Sequence, residues 1–324
     1  MVESREYDLA RGNEIRGVAR YAGRLIKIQW TRESCRETKR RTQAQRFFKY
    51  PLKLILPKKV GSSQVDAVWI YALSYGGGIV SGDQISCKIS VGDGCTASVT
   101  TQASTKVYKS VDSKCSEQVL EAIIGNEAFL ALIPDPVTCF STARYSQKQN
   151  FRIFSGSNLV VVDWITSGRY QSGERWDFTS YKSTNCIYLD NDRPIFIDSV
   201  LLEQSLVCDI AERMQCYQVI AMVILLGPKL KNLQNQIKEE VKKMMTVKLR
   251  PPTTNFGRYA KSEAQHDRFV PDLIASCSTF GPQGIGSVIR VTATTTEAVY
   301  AFLRTHLSSL EMFLGAPPYC QSGI

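Results

Sequence analysis

Histidine is close to absent from this chain: its 324 residues include two, His266 and His306. Two imidazoles cannot build a zinc or nickel centre with several His ligands inside one chain. A hydrolytic triad needs a His held by an acid and aimed at a nucleophile. Neither His266, in a polar stretch, nor His306, beside an apolar helical stripe, sits in such a set. No Cys-x-x-Cys pair occurs, which removes the familiar zinc and redox spacings. No GxxxxGK[ST] loop occurs either, so the chain carries no phosphate loop of that kind. No RRM, KH or zinc-finger pattern points to nucleic acid. The longest apolar run, residues 217–227, is about half of what crosses a bilayer. The charged start MVESREYDLARGNEIRG shows no signal-peptide core. The expected setting is the cytosol, with neither membrane nor nucleic acid as partner.

Cysteine is plentiful, at positions 35, 87, 95, 115, 139, 186, 208, 216, 277 and 320. Without paired spacing or a secretory signal, these residues are expected as reduced thiols, mostly small fillers of the core. The net charge of +10 belongs to one segment: residues 1–60 hold 16 Lys/Arg and 6 Asp/Glu, and the other 264 residues hold 24 of each. Its densest run is Lys39-Arg40-Arg41. Residues 31–45 are read as a solvated basic insertion, the alternative being an arm that steers acidic partners.

Period-two alternation dominates the rest. Candidate strands are Leu25–Trp30, Pro51–Leu56, Ala67–Leu73, Gln84–Val91, Cys95–Thr101, Glu117–Ile124, Ala128–Ile133, Phe151–Phe154, Asn158–Ile165, Trp176–Leu189, Pro194–Glu203 and Tyr217–Leu226. Two segments read as helices. Over Lys229–Met245, Leu230, Leu233, Ile237, Val241 and Met244 form one apolar stripe, with Gly227-Pro228 setting the start. Over Glu297–Leu314, Thr296 is the expected cap and Gly315 the stop. Residues 250–270 form a polar connection, and no internal repeat stands out. The expected fold class is mainly β: a single β-rich domain of many short strands, over residues 23–320, with two α-helices in the C-terminal third. Residues 1–22 are read as a flexible N-terminal segment.

Two glycine clusters need weighing against phosphate binding: Gly76, Gly77, Gly78 and Gly82, which run into Asp83, and Gly281-Pro-Gln-Gly-Ile-Gly286. Neither has the loop-to-helix arrangement, so both read as turns and close packing. Four acids remain of interest: Asp83, Asp135 between two prolines, Asp163 before Trp164, and Glu174 in Gly173-Glu174-Arg175-Trp176. Paired carboxylates could serve a glycosidase. They could equally be turn formers, or ion pairs such as Glu174 with Arg169 or Arg175.

Several blocks together resemble the urease accessory protein family UreD, also called UreH. They are Tyr50-Pro-Leu-Lys, Gly77-Gly78-Ile79-Val80-Ser81-Gly82-Asp83, the run from Thr100 to Tyr108, Ile133-Pro134-Asp135-Pro136-Val137-Thr138-Cys139-Phe140, Arg144-Tyr145, and Gly168-Arg169 through Gly173-Glu174-Arg175-Trp176. Gly286-Ser287-Val288-Ile289-Arg290-Val291 before a helix is similar to the family's ending, so the resemblance spans residues 23–314. One departure is Ser74-Tyr75, where many relatives have His-Pro. The resemblance implies a eukaryotic member of the family: a helically wound β-rich body and a non-enzymatic maturation factor. Its partners would be a UreF homologue, a UreG GTPase homologue and apo-urease, with nickel assisted to the urease active site. No cofactor would be held tightly, and nickel(II) only transiently, because imidazole and thiolate clusters would trap it whereas sparse oxygen donors let it go. On the same basis Asp83 and Glu174 are the leading candidates for an acid-lined passage, with Asp163 and Asp135 behind them. Cys139 is read as packing rather than as a ligand, and the C-terminal helices and flanking loops as the docking surface for UreF. A carbohydrate-active β-rich enzyme and a general interaction module are the competing readings.

Overall fold

Alternating residues give strands, and here the strands are wound. The computed structural model describes residues 14–21, 24–31, 46–49, 52–57, 65–190, 192–248 and 271–319, with side chains for those at 52–57, 65–190, 192–246 and 271–319. The first coil runs through β5 (Ala67–Ser74), β6 (Gly78–Ile79) and β7 (Gln84–Val91). The second is β8 (Thr96–Thr101), β9 (Thr105–Val107) and β10 (Ser116–Ile124). The third is β11 (Phe129–Leu132), β12 (Val137–Cys139) and β13 (Arg144–Ile153), and the last is β14 (Asn158–Thr166) with β15 (Ser180–Leu189). Equivalent strands stack in parallel, so Ala67, Thr96, Phe129 and Asn158 lie in register. So do Gln84, Glu117, Ser146 and Lys182. Each coil takes roughly 30 residues, a repeat of the solenoid kind. It is invisible in the sequence because coils share backbone register while differing in side chains and loop lengths.

Antiparallel strands extend the stacks. β1 (Glu14–Tyr21) and β2 (Arg24–Thr31) join at one edge and β16 (Pro194–Glu203) at the other, giving seven strands ordered β16-β15-β13-β10-β7-β1-β2. β1 lies within the segment that the sequence reading placed before the domain. The other stack, a twelve-stranded sheet, gains β3 (Arg46–Lys49) and β4 (Leu52–Ile55) on one side, and β17 (Val219–Leu226), β19 (Gly286–Ala293) and β18 (Leu273–Phe280) on the other.

Three layers result. β14 is buried at every position: Leu159 and Val161 face the seven-stranded sheet, while Val160, Val162 and Trp164 face helices. That two-sided burial produces its unbroken apolar run. Helix α2 (Lys231–Lys248) presents Leu233, Ile237 and Val241 to the twelve-stranded sheet, and α3 (Thr296–Leu307) presents Val299, Phe302, Leu303 and Leu307. The expected stripes are there, with two adjustments. The cap of α3 is Thr295, one residue earlier than expected, its hydroxyl accepting from the Ala298 N–H at 3.2 Å. The helix also breaks after Leu307 into a 3-10 turn (Ser308–Leu310) and the short α4 (Glu311–Leu314). There the Ser308 hydroxyl donates to the Thr305 carbonyl, a local bond that competes with the helix ladder. A further short helix, α1 (Ile210–Met214), which the sequence reading did not contain, is started by an Asp209–Glu212 capping box.

The glycine cluster is backbone geometry. Gly76, Gly77 and Gly82 have φ of 67°, 77° and 79°. At Gly78 a Cβ would lie 2.7 Å from the Lys106 carbonyl oxygen, so β6 and β9 meet there without room for a side chain. Gly281–Gly286 joins β18 to β19. The basic stretch at 32–45, and residues 249–270 with His266, lie outside the described residues.

Candidate functional site

The strand Arg144–Ile153 buries its odd-numbered positions, Tyr145, Gln147, Gln149, Phe151 and Ile153. Three of the five are polar and point into the space between the sheets. There they help enclose a cavity of about 100 Å³. Its apolar walls include Leu54, Ile70, Val99 and Leu120; its polar walls include Gln118, Gln147, Gln149, Asp135 and Asp163.

Asp163 is the hub. Its Oδ1 accepts from Gln147 Nε2 at 2.6 Å, and its Oδ2 from Ser183 Oγ at 2.5 Å and Asn185 Nδ2 at 2.7 Å. The acid comes from the twelve-stranded sheet and the three donors from β13 and β15 of the other, so the cluster is a polar tie across the interior. Burial pushes the Asp163 carboxyl up, the three hydrogen bonds pull it back, and the charge of Asp198 adds to the upward push. Tyr145 extends the network by donating to Gln118 Oε1 at 3.0 Å. Burial holds the phenols of Tyr145 and Tyr181 well above their usual range, so both stay protonated donors. Gln149 Oε1, buried at the wall, accepts from no protein donor among the described residues. The cavity therefore offers oxygen atoms and neutral amides together with two hydrogen-bonded carboxylates, Asp163 and Asp135.

Asp135 reaches the same cavity from the β11–β12 loop. Its Oδ2 accepts from Thr101 Oγ1 at 3.2 Å and its Oδ1 from the Tyr300 hydroxyl at 2.7 Å. Asp83 and Glu174, ranked first from the sequence, are not in the cavity wall. Asp83 folds onto its own turn, Oδ2 accepting from the Val80 N–H at 2.9 Å. Glu174 is clasped by Arg169, whose Nε donates at 3.0 Å and whose Nη2 donates to the other oxygen. Hydrogen bonds from Arg169 hold its carboxyl below the usual range, helped by the Ser141 backbone and the guanidinium charge. Arg169 in turn lies over the Phe140 ring, 4.1 Å from its centroid. So the structure gathers Asp135 and Asp163 into one place and leaves the other two acids at turns. The glutamines of the wall went unseen in the sequence. Their only signal is the i, i+2 spacing of Tyr145, Gln147 and Gln149, masked by polar neighbours on both faces.

Cys139 is buried with Ile79, Val107 and Trp176, and burial pushes its thiol up. The eight cysteines among the described residues form no disulfide. No group of three or more His, Cys, Asp or Glu placed to hold a metal ion occurs among the described residues. No helix among them is long and apolar enough to cross a membrane.

The chain is thus a wound two-sheet β body that encloses a cavity of mixed apolar and polar lining and carries its long helices on one outer face. The chain belongs to the UreD urease accessory protein family, whose model matches residues 30–322. It is 66% identical over 274 residues to urease accessory protein D of Oryza sativa subsp. japonica, covering 84% of this chain and 88% of the relative. With urease accessory protein D of Arabidopsis thaliana the identity is 58% over 280 residues, 86% and 95% of the two chains. Urease accessory protein UreD of Anaeromyxobacter sp. (strain Fw109-5) is 33% identical over 272 residues, 84% and 82% of the two chains. The plant relatives are thus much nearer than this bacterial one.

Proposed function

We propose that this protein is a non-enzymatic urease maturation factor that acts in the cytoplasm. It would assemble with UreF and UreG homologues on apo-urease and assist delivery of nickel(II), its cargo, to the urease active site. Membership of the UreD family supports the maturation role. The observation that carries the finer reading is the cavity lined by Asp135, Asp163 and Gln149. Oxygen donors bind a first-row cation weakly compared with imidazole or thiolate, and weak binding is what transit requires. Asp83 and Glu174, each bonded within its own turn, are proposed to hold those turns rather than to touch the cargo. The C-terminal helices, on the outer face of the twelve-stranded sheet, are the proposed seat for the UreF homologue.

Two experiments test this. In a strain lacking the gene, urease activity should disappear while urease protein stays normal, and excess nickel serves as the control. In the same strain, the isosteric pair Asp135→Asn with Asp163→Asn should still co-purify with the UreF and UreG homologues yet restore little urease activity. Full restoration by the double variant would remove the carboxylates from the passage, while failure to co-purify would put the assembly reading itself in question.

A further inference from the structure

Part of the cavity wall is held from outside by residues distant in sequence. Pro134 and Asp135, both in the wall, are gripped by the C-terminal unit. Tyr300 on α3 donates to Asp135 Oδ1 at 2.7 Å. Tyr319, beyond α4, donates to the Pro134 carbonyl at 2.9 Å, and Trp164 Nε1 donates to the same oxygen at 2.9 Å. The three rings meet edge to face, with centroids 4.7 Å apart for Trp164–Tyr300, 6.1 Å for Trp164–Tyr319 and 5.9 Å for Tyr300–Tyr319. Arg304 Nε donates to the Tyr319 carbonyl at 3.0 Å and so pins the segment back onto α3. Tyr319 has φ of 58°, a conformation costly for a non-glycine residue. The segment is therefore held by these contacts against its own backbone preference.

We propose that the C-terminal segment ending at Tyr319 closes the Asp135 end of the cavity, latched by the Tyr319–Pro134 and Tyr300–Asp135 hydrogen bonds. The proposal rests on the reading of this cavity as the functional site, but not on what passes through it. The latch is small beside its anchor. Its Tyr319 half, a neutral hydrogen bond, contributes little net free energy, whereas α3 beneath it, which carries Tyr300, is fixed by the buried Val299, Leu303 and Leu307. Local opening of the segment without loss of the helix is the mode that this imbalance favours. Burial raises both phenols, so the two donors keep their protons across the physiological range and the latch answers to contact rather than to pH.

Two buried cysteines provide the test. Cys87 lines the cavity, while Cys139 packs in a separate apolar cluster. The full chain would be treated with iodoacetamide, and each cysteine followed by peptide-resolved mass spectrometry. In the wild type, Cys87 should label far more slowly than the exposed Cys115. Tyr319→Ala should speed Cys87 about tenfold, roughly the change expected from losing one hydrogen bond of ordinary strength and its ring contacts. Tyr319→Phe and Tyr300→Phe, which remove only the hydroxyl, should each speed it a few-fold, with Cys139 unchanged in all three. The proposal is overturned if Cys87 is unaffected, if Cys87 and Cys139 accelerate together, or if wild-type Cys87 already labels like Cys115. Because urease is absent from the assay, its failure is distinct from failure of the maturation reading.

Discussion

Replacing Asp163 by Leu should cut the polar tie between the sheets. The change keeps similar bulk but takes the carboxylate acceptor from Gln147 Nε2, Ser183 Oγ and Asn185 Nδ2, and from the Tyr181 hydroxyl, which reaches it at 3.5 Å. An unpaired buried donor costs about 1–3 kcal/mol. Gln147 retains the Ser183 hydroxyl at 2.8 Å, and a buried charge is removed, so the loss falls below the full sum. We expect about 3–4 kcal/mol. Asp163→Asn retains one acceptor oxygen and turns an amide N–H toward a donor, for about 1–2 kcal/mol. The pH dependence has a definite sign. The folded-state carboxyl is raised above its ordinary 3.8, so its favourable contribution is complete below that value and is lost as pH rises through the folded-state value. The wild type should therefore gain on Asp163→Asn as the pH is lowered from 7 toward 4. Urea unfolding of the three proteins at several pH values, with unchanged m-values, measures both effects. A Leu variant within about 1 kcal/mol of wild type at pH 7, less than one unpaired buried donor should cost, would refute the tie. A wild-type–Asn difference independent of pH would refute the charge argument.

Three further expectations follow from the packing. Gly227→Ala should cost about 3 kcal/mol or more, because φ there is 113° and a Cβ would stand 2.3 Å from the Ser157 carbonyl oxygen; thermal melts check it. His306 Nδ1 lies 2.8 Å from Glu240 Oε2 between α3 and α2, yet burial lowers its proton affinity below the ordinary 6.5. Its contribution is thus present above that pH and lost as pH falls through the depressed folded value, so stability measured against His306→Phe should decline in acid. Asp83→Ala should cost about 1 kcal/mol, one turn hydrogen bond, and should leave urease activation in a complemented strain near wild type, since Asp83 stands outside the cavity wall.

The strands and helices were largely legible because each solves a local problem. Gln84–Val91 alternates buried and exposed along its length, and the stripe at Leu233, Ile237 and Val241 repeats at helical steps. The strand beginning at Arg144 was read only from Phe151 onward. Its buried Gln147 finds its partners only in three dimensions, and the polar Gln147 and Gln149 leave no apolar alternation to read. Which of the acids the structure gathers was illegible for a related reason. A carboxylate such as Asp83 that serves its own turn and one such as Asp163 that serves a cavity have the same local appearance in sequence. Both follow or precede a recognisable motif, and only their partners differ.

By itself the sequence determined that this would be a β-rich chain with two amphipathic helices, without a phosphate loop of the GxxxxGK[ST] kind, carrying the ordered blocks of the UreD family. Periodicity, capping and motif order are short-range properties written within a few residues. The tertiary structure alone decided that Ala67, Thr96, Phe129 and Asn158 share one level of a coil. It also decided that Asp163 meets donors 16–22 positions away, and that Tyr300 reaches back 165 positions to Asp135. Those contacts depend on how the coils stack and where the C-terminal unit returns. Stacking is fixed by burial summed over whole sheets, which no single stretch of sequence encodes.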